Sequence, residues 1–170
     1  PTLFYFNPNI FPSSEYVIRK NELKRYAQGI GLKVIDGDYD HEKWKKAIHG
    51  FELEPERGKR CQICFDYRLT ETARVAQEEK IELFTTTLAS SRWKDIEQIN
   101  RAGLLAQERY PGTKYWDKNW RKGGLQQRRN ELLKLNGFYN QLYCGCEFSM
   151  RRLPPESCEM ILKQPQPEEI

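Results

Sequence analysis

Leu3-Phe4-Tyr5-Phe6 and Leu32-Lys33-Val34-Ile35 are two short apolar runs on either side of a helical segment, and this stretch decides the fold class. The turn at residues 7–12 leads into the helix, which begins near Ser13 and ends before Gly31. A strand, a helix and a strand joined by short loops predict parallel pairing of the two strands. We therefore expect an α/β fold whose sites lie at the carboxyl ends of the strands, here residues 7–9 and 36–40.

The same alternation of patterns continues along the chain. The further elements that we expect are a helix at 41–48, a helix at 65–79, a strand at 82–88, a helix at 96–109, a strand at 114–117 and a basic helix at 126–136. Residues 1–153 are then a single α/β catalytic domain. The proline-rich segment 154–170 is predicted to be a loose C-terminal tail. Because the chain opens directly on a strand, we expect that a first strand before Pro1 is missing.

Composition limits the class of protein. The chain has 170 residues, of which 38% are hydrophobic, and no apolar run approaches the roughly 20 residues that a membrane span needs. We expect a soluble, cytoplasmic protein without a membrane partner. The net charge is +4, and the basic residues cluster whereas the acids are dispersed or gathered at the end of the chain. This asymmetry favours a partner that carries phosphates.

Four of the five cysteines form two tight pairs, Cys61 with Cys64 and Cys144 with Cys146. Two residues between thiols let both sulfurs converge, which suits a tetrahedral metal, an iron–sulfur cluster or a redox disulfide. Spacing alone does not separate zinc from iron–sulfur. The first pair should lie at or just inside a helix N-terminus, where the helix dipole stabilises thiolate. His41 and His49 lie on a charged stretch and are expected to face solvent.

Two loops have the composition of a phosphate or base site. Residues 89–95 place small hydroxyl residues before two cations at a strand-to-helix turn, which suits an anion site or an ordinary helix cap. Residues 118–124 mix aromatic and basic residues, as a base-binding loop or a solvated loop would. The candidates for contact with a phosphate-bearing partner are Asn7, Asn9, Arg60, Arg68, Ser90, Lys94, Arg121 and Lys122, with Trp93, Trp116 or Trp120 to stack a base.

Several motifs occur together in a characteristic order from residue 3 to about residue 152. They are Phe6-Asn7-Pro8-Asn9-Ile10, Glu15-Tyr16, Asp38-Tyr39-Asp40, Glu56-x-Gly58-x-Arg60-Cys61-x-x-Cys64, Arg68-Leu69-x-x-Thr72-Ala73, Thr85-Thr86-Thr87-Leu88, Arg121-Lys122-Gly123-Gly124 and Tyr143-Cys144-Gly145-Cys146-x-Phe148-Ser149. Each motif is weak by itself. The ordered set resembles the cobalamin-independent epoxyqueuosine reductase family, QueH.

The resemblance implies a fold like that of the adenine nucleotide alpha hydrolases (HUP-type), a parallel sheet with helices on both faces. It also implies reduction of the epoxide of epoxyqueuosine in a tRNA anticodon loop, with an iron–sulfur cluster, expected to be 4Fe-4S, and an electron donor. The four paired cysteines match family metal ligands. An adjacent Cys-Cys pair of the family, upstream of the Asn-Pro-Asn turn, has no counterpart here, so zinc is a possible occupant of an incomplete site. Asp38 and Asp40, at a strand end, are candidates for an extra metal ligand or a proton donor, and the alternative is an ordinary solvated loop.

Two other classes of function stay open at this point. One is a zinc-stabilised RNA-binding module without redox activity, which anaerobic metal analysis would separate from a reductase. The other is a nucleotide-dependent tRNA modifier, which should carry a Ser-Gly-Gly phosphate loop after its first strand. No such loop occurs in the sequence.

Overall fold

The computed structural model describes residues 1–169 and shows an α/β protein of two compact units. The first unit combines residues 1–46 with the chain from Phe138 onward, and the second consists of Ala47–Gly137. Each contains a two-stranded parallel sheet. The predicted α/β class with parallel strands is therefore confirmed. No helix among the described residues is both long and apolar enough to cross a membrane.

The first unit is built around the strand–helix–strand segment that opens the chain. Strand β1 (Thr2–Tyr5), helix α1 (Ser13–Gly29) and strand β2 (Lys33–Asp36) follow one another, and α2 (His41–Ala47) comes next. The two strands pair in parallel. Past the end of β2, the Gly37 N–H donates to the Tyr5 carbonyl at 2.9 Å. The carboxyl ends of both strands thus lie side by side, as predicted.

The C-terminal part of the first unit contains two short helices, α6 (Glu147–Met150) and α7 (Pro155–Leu162). The sequence predicts a loose tail here, whereas the structure has a helix. Pro155 occupies the first turn of α7, where its missing N–H costs no hydrogen bond. Ile161 is 1% exposed and packs with Tyr143 and Met150. Pro154 and Pro155, two of the four prolines that suggest disorder, therefore begin a helix with a buried anchor.

The second unit is organised by two helices, α3 (Lys59–Glu78) and α4 (Ile96–Arg109). Its other elements are β3 (Leu83–Phe84), a 3₁₀ helix (Thr87–Ser90), β4 (Lys114–Tyr115) and α5 (Leu125–Leu135). Strands β3 and β4 are parallel. The core joins apolar residues of α3 and α4 to both strands, and Gly103 of α4 lies so close to the Tyr115 ring that a Cβ would be 2.4 Å from it.

The predicted strand at 82–88 is wrong beyond Phe84. The side chain of Thr86 accepts the Leu88 N–H at 3.2 Å and caps the 3₁₀ helix. Threonine favours strands through its branched Cβ, yet its hydroxyl also offers the backbone an alternative partner. Here the local cap prevails, and the strand has two residues.

Candidate functional site

The first cysteine pair lies at the start of α3, as predicted. Gly58 is the N-cap, and Cys61 and Cys64 follow in the first turns, at a spacing that places both on one face of the helix. Cys64 is 8% exposed and Cys61 is half-buried. Neither forms a disulfide with another described residue. One helix end therefore presents two sulfurs within reach of a common ligand.

Arg57 shapes the approach to this helix. Its backbone has φ +67°, in the left-handed region, and its N–H donates to the Cys61 Sγ at 3.3 Å. An N–H donor and a helix N-terminus both favour a thiolate. The same residue reaches outward, since its guanidinium Nε donates to the Trp93 carbonyl at 2.9 Å. Arg57 was missed by sequence reasoning because a left-handed arginine has no sequence signal.

Arg60 has a different environment from the one that a phosphate contact would need. The residue is 3% exposed, and its guanidinium donates to the carbonyls of Phe51, Glu52 and Glu54. It stabilises the loop that precedes the cysteine motif. Arg68, one of the other predicted contacts, lies partly buried further along α3.

The loop after the 3₁₀ helix collects several predicted substrate contacts. Arg121 donates to the carbonyls of Ser91 and Lys94, each at 3.3 Å. The Lys94 ammonium lies 5.5 Å from the centre of the Phe65 ring, and the Ser90 hydroxyl donates to the Thr87 carbonyl at 2.7 Å. Lys122 is exposed. The structure thus brings Arg121, Ser90 and Lys94 to one loop.

The second cysteine pair, in the first unit, lies on an irregular turn stabilised by α1. Arg19 donates to the carbonyls of Tyr143 and Cys144, each at 3.3 Å, while its Nε donates to the Glu15 carboxylate at 2.7 Å. Glu15 is completely buried. Gly145 has φ +115°, and a Cβ there would approach the Arg19 guanidinium to 3.0 Å. Only glycine fits this position without strain.

The Asn-Pro-Asn turn packs on the same loop. The Phe11 N–H donates to the Gly145 carbonyl at 2.9 Å, and a Cβ on Gly145 would lie 3.4 Å from the Asn9 side-chain amide. Asn9 is 1% exposed, and its Oδ1 has no hydrogen-bond partner among the described residues. Asn7 precedes it and accepts the Ile10 N–H through its carbonyl. The turn therefore places a buried amide oxygen beside the second cysteine pair.

Two tyrosine hydroxyls donate hydrogen bonds to the backbone just after the Asn-Pro-Asn turn. The Tyr39 hydroxyl donates to the Ile10 carbonyl at 2.7 Å, and burial raises the pKa of Tyr39 to about 12. Burial, and next the charge of Glu15, raises the pKa of the Tyr143 hydroxyl, which donates to the Phe11 carbonyl. Both phenols therefore stay neutral donors well into the alkaline range.

The predicted acidic candidates have ordinary surroundings. Asp38 is exposed, and the Asp40 carboxylate accepts the Lys43 N–H at 2.8 Å near the start of α2. The prediction that His41 faces solvent is wrong, since its side chain is 12% exposed and Nδ1 lies 2.8 Å from the Pro8 carbonyl. The same prediction is confirmed for His49, whose side chain is 84% exposed.

Glu15 and Arg19 were also missed as site residues, although their spacing of four along a helix is a typical ion-pair signal. Within either unit, over the described residues, no three His, Cys, Asp or Glu side chains form a group that could hold a metal. Each unit instead contains one cysteine pair, and in each pair one cysteine accepts a hydrogen bond from an arginine, Cys61 through its sulfur and Cys144 through its carbonyl.

Comparison with known proteins places these residues in a family. A family model described as epoxyqueuosine reductase QueH matches residues 1–152, which include all four paired cysteines. A Histophilus somni protein named epoxyqueuosine reductase QueH is 49% identical over 88% of this chain and 62% of its own length. A Haemophilus influenzae protein of the same name is 48% identical over 88% of this chain and 61% of its own length. A Thermotoga maritima protein of the same name is 37% identical over 95% of this chain and 85% of its own length.

The chain spans about three fifths of the length of the Histophilus and Haemophilus relatives. It spans most of the Thermotoga relative. The extent of the family match and these identities show that the chain belongs to the epoxyqueuosine reductase QueH family.

Proposed function

We propose that this protein reduces the epoxide of epoxyqueuosine in tRNA to the cyclopentene of queuosine, as an iron–sulfur oxidoreductase. The observation that carries the proposal is the family match over residues 1–152, since it includes both cysteine pairs. The parallel strand–helix–strand arrangement in each unit supports an adenine nucleotide alpha hydrolase-like fold. A cytoplasmic location accords with a tRNA substrate.

The donor set suits iron–sulfur chemistry. Cys61, Cys64, Cys144 and Cys146 form no disulfide among the described residues, and cysteine thiolates are the usual ligands of such clusters. Cys61 accepts a backbone N–H and lies at a helix N-terminus, both of which favour its thiolate form. We propose these four cysteines as cluster ligands, with a 4Fe-4S cluster as the occupant.

The reaction needs two electrons and two protons, because the epoxide carbons become an alkene and the oxygen leaves as water. A bound iron–sulfur cluster would supply electrons one at a time, together with a Lewis-acidic iron. The electrons come from an external donor. Asp38 is exposed at the end of β2 and is the better placed of the two proposed proton donors, since the Asp40 carboxylate already accepts a backbone N–H.

For the substrate, we propose that Lys94, Arg121 and Lys122 contact the phosphates of the anticodon loop. Lys122 is exposed, and Arg121 lies partly exposed beside the loop that carries Lys94. Arg68, Asn7 and Ser90 are proposed contacts of the same substrate. Arg60 and Asn9 act from buried positions by shaping their loops. Binding that depends on such cations weakens as salt rises.

Anaerobic purification of the full-length protein, with iron, sulfide and zinc assays, tests the cluster. Iron with acid-labile sulfide, and a visible absorption that bleaches on reduction, is the expected result, followed by reduction of epoxyqueuosine-tRNA. Cys61→Ala should lower the iron content. Cys158→Ala is the matched control, because Cys158 lies outside both pairs and donates to the Met150 carbonyl. Zinc without sulfide would instead favour an RNA-binding module without redox activity.

A further inference from the structure

Trp93 is a large apolar side chain in an unusual position. It is 68% exposed and lies in the short loop between the 3₁₀ helix and α4. Of the four tryptophans it is the most exposed, since Trp44 is buried and Trp116 and Trp120 pack edge to face at 5.2 Å. A single exposed apolar side chain is common on protein surfaces, so exposure alone assigns Trp93 no role, and the contacts that hold its backbone carry the argument.

The backbone that carries Trp93 is held on both sides. Arg57 donates to the carbonyls of Trp93, at 2.9 Å, and Arg92, at 3.4 Å. Arg121 donates to the carbonyls of Ser91 and Lys94, each at 3.3 Å. Four consecutive carbonyls thus accept hydrogen bonds from two arginines. A loop ordered before binding loses less entropy when a ligand arrives.

The arginines are themselves anchored. The side-chain amide of Gln98, on α4, donates to the Arg57 carbonyl at 2.7 Å. The Asn119 side chain accepts from the Arg121 backbone N–H at 3.1 Å and from its guanidinium Nε at 3.3 Å. We call the hydrogen bonds of Arg57 and Arg121 to the carbonyls of residues 91–94 the clamp, and these four residues the Trp93 loop. The clamp therefore connects the Trp93 loop to α4 and to the segment before α5. Such a network fixes where the indole ring is presented.

The charge around the ring is positive. The Arg92 guanidinium lies 5.0 Å from the Trp93 ring centre, and Lys94, the next residue along the chain, adds a second cation to the same loop. An aromatic ring among cations suits an unpaired nucleobase, because the base stacks on the ring while adjoining phosphates meet the cations. A neutral apolar partner would gain nothing from these charges.

We propose that Trp93 is a stacking platform for an unpaired base of the RNA substrate. The identity of that RNA as a tRNA anticodon loop rests on the proposed function. Arg57 and Arg121 are positioning residues for this platform, since they fix the backbone rather than the base. Arg57 also donates to Cys61, so the loop that presents the base is linked to the start of α3, which carries the first thiol.

The test is binding of a synthetic anticodon stem-loop RNA without epoxyqueuosine, followed by fluorescence anisotropy. Trp93→Ala should weaken binding about tenfold, since stacking on an aromatic residue is typically worth about 1–3 kcal/mol per base. Trp93→Phe should keep most of the affinity. Leu53→Ala is the control, because Leu53 is an 89% exposed apolar residue of the same unit that lies outside the loop held by Arg57 and Arg121. Its affinity should equal that of the parent.

A double-mutant cycle identifies the base. Removing single bases from the loop of the RNA should reveal one abasic position at which the parent loses affinity and Trp93→Ala loses none further. The salt dependence of Trp93→Ala should match the parent, because no ionic contact is removed. The inference is overturned if Trp93→Ala binds like the parent, if every abasic loss is additive with it, or if the parent binds no RNA.

The two proposals fail separately in this design. Trp93-dependent RNA binding by an iron-loaded protein that leaves epoxyqueuosine-tRNA unreduced would refute the reductase and support the platform. Reduction of epoxyqueuosine-tRNA by the parent, with unchanged RNA affinity in Trp93→Ala, would support the reductase and refute the platform.

Discussion

The two cysteine pairs are held in different ways. Cys61 and Cys64 belong to a regular helix, and the hydrogen bond to the Cys61 sulfur comes from Arg57, four residues away. The turn of Cys144 is instead held by Arg19, 125 residues away, which is itself paired with the buried Glu15. One pair is arranged mainly by local structure, and the other depends on long-range contacts.

This difference determines what disturbs each pair. A local arrangement persists as long as its helix persists. A turn held across the sequence separates from its support when a single buried partner is removed, and it leaves the other partner uncompensated. We therefore expect the loss of a buried partner in α1 to disturb the turn of the second pair strongly. The loss of a side chain next to α3 should disturb the first pair far less.

Arg19→Ala has the largest expected effect. It leaves the buried Glu15 carboxylate without its cationic partner, although the Tyr139 hydroxyl still donates to it, and it removes the donors to the Tyr143 and Cys144 carbonyls. The free energy of unfolding should fall by about 3–5 kcal/mol, as measured by urea unfolding under reducing conditions. Alkylation followed by mass spectrometry should show faster modification of Cys146.

Two controls make this prediction sharp. Arg25→Ala removes an ion pair from the same helix, but that pair is exposed, so unfolding should stay near the parent. Cys64, which is 8% exposed like Cys146, should keep its alkylation rate in Arg19→Ala. Equal acceleration at both cysteines would contradict the distinction between the pairs.

Arg57 provides the corresponding test on the first pair, with a smaller effect. Arg57→Gly and Arg57→Ala both lose the guanidinium, but only alanine is strained at φ +67°. The glycine variant should be more stable by about 1 kcal/mol in urea unfolding. Lys80 has a similar backbone conformation, with φ +57°, but takes no part in the hydrogen bonds of Arg57 to the Trp93 loop. Its glycine variant should therefore also be about 1 kcal/mol more stable than its alanine variant. The alkylation rate of Cys61 should stay at the parent value in both Lys80 variants. Equal stability of the two Arg57 variants would exclude backbone strain.

The sequence predicts the elements better than the partners of their side chains. The parallel pair β1 and β2 and the position of Cys61 follow from apolar spacing and short loops. The hydrogen-bond partners of a cationic side chain do not follow from these patterns. Arg60 looks like a phosphate contact in the sequence, yet its buried guanidinium group donates to backbone carbonyls. Which oxygen an arginine meets depends on contacts that local spacing does not encode.

The smallest expected effect concerns Tyr39, which supports the turn beside the second pair. The unfolded chain loses this phenol proton near pH 10, whereas burial raises the folded pKa to about 12. The unfolded state therefore binds fewer protons between these values, and the free energy of unfolding falls as pH rises from 10 to 12. Below pH 10 this contribution is fully present.

Tyr39→Phe removes that contribution together with the hydrogen bond to the Ile10 carbonyl. The variant should be about 1 kcal/mol less stable at pH 8, and the gap to the parent should narrow as pH rises through 10 to 12. Urea unfolding across this range, under argon and reductant, measures both curves. Parallel curves would mean that the phenol ionises as readily in the fold as in the unfolded chain. The stability of the turn beside Cys144 would then not depend on whether the Tyr39 phenol is neutral, and Arg19 would be the main support of that turn.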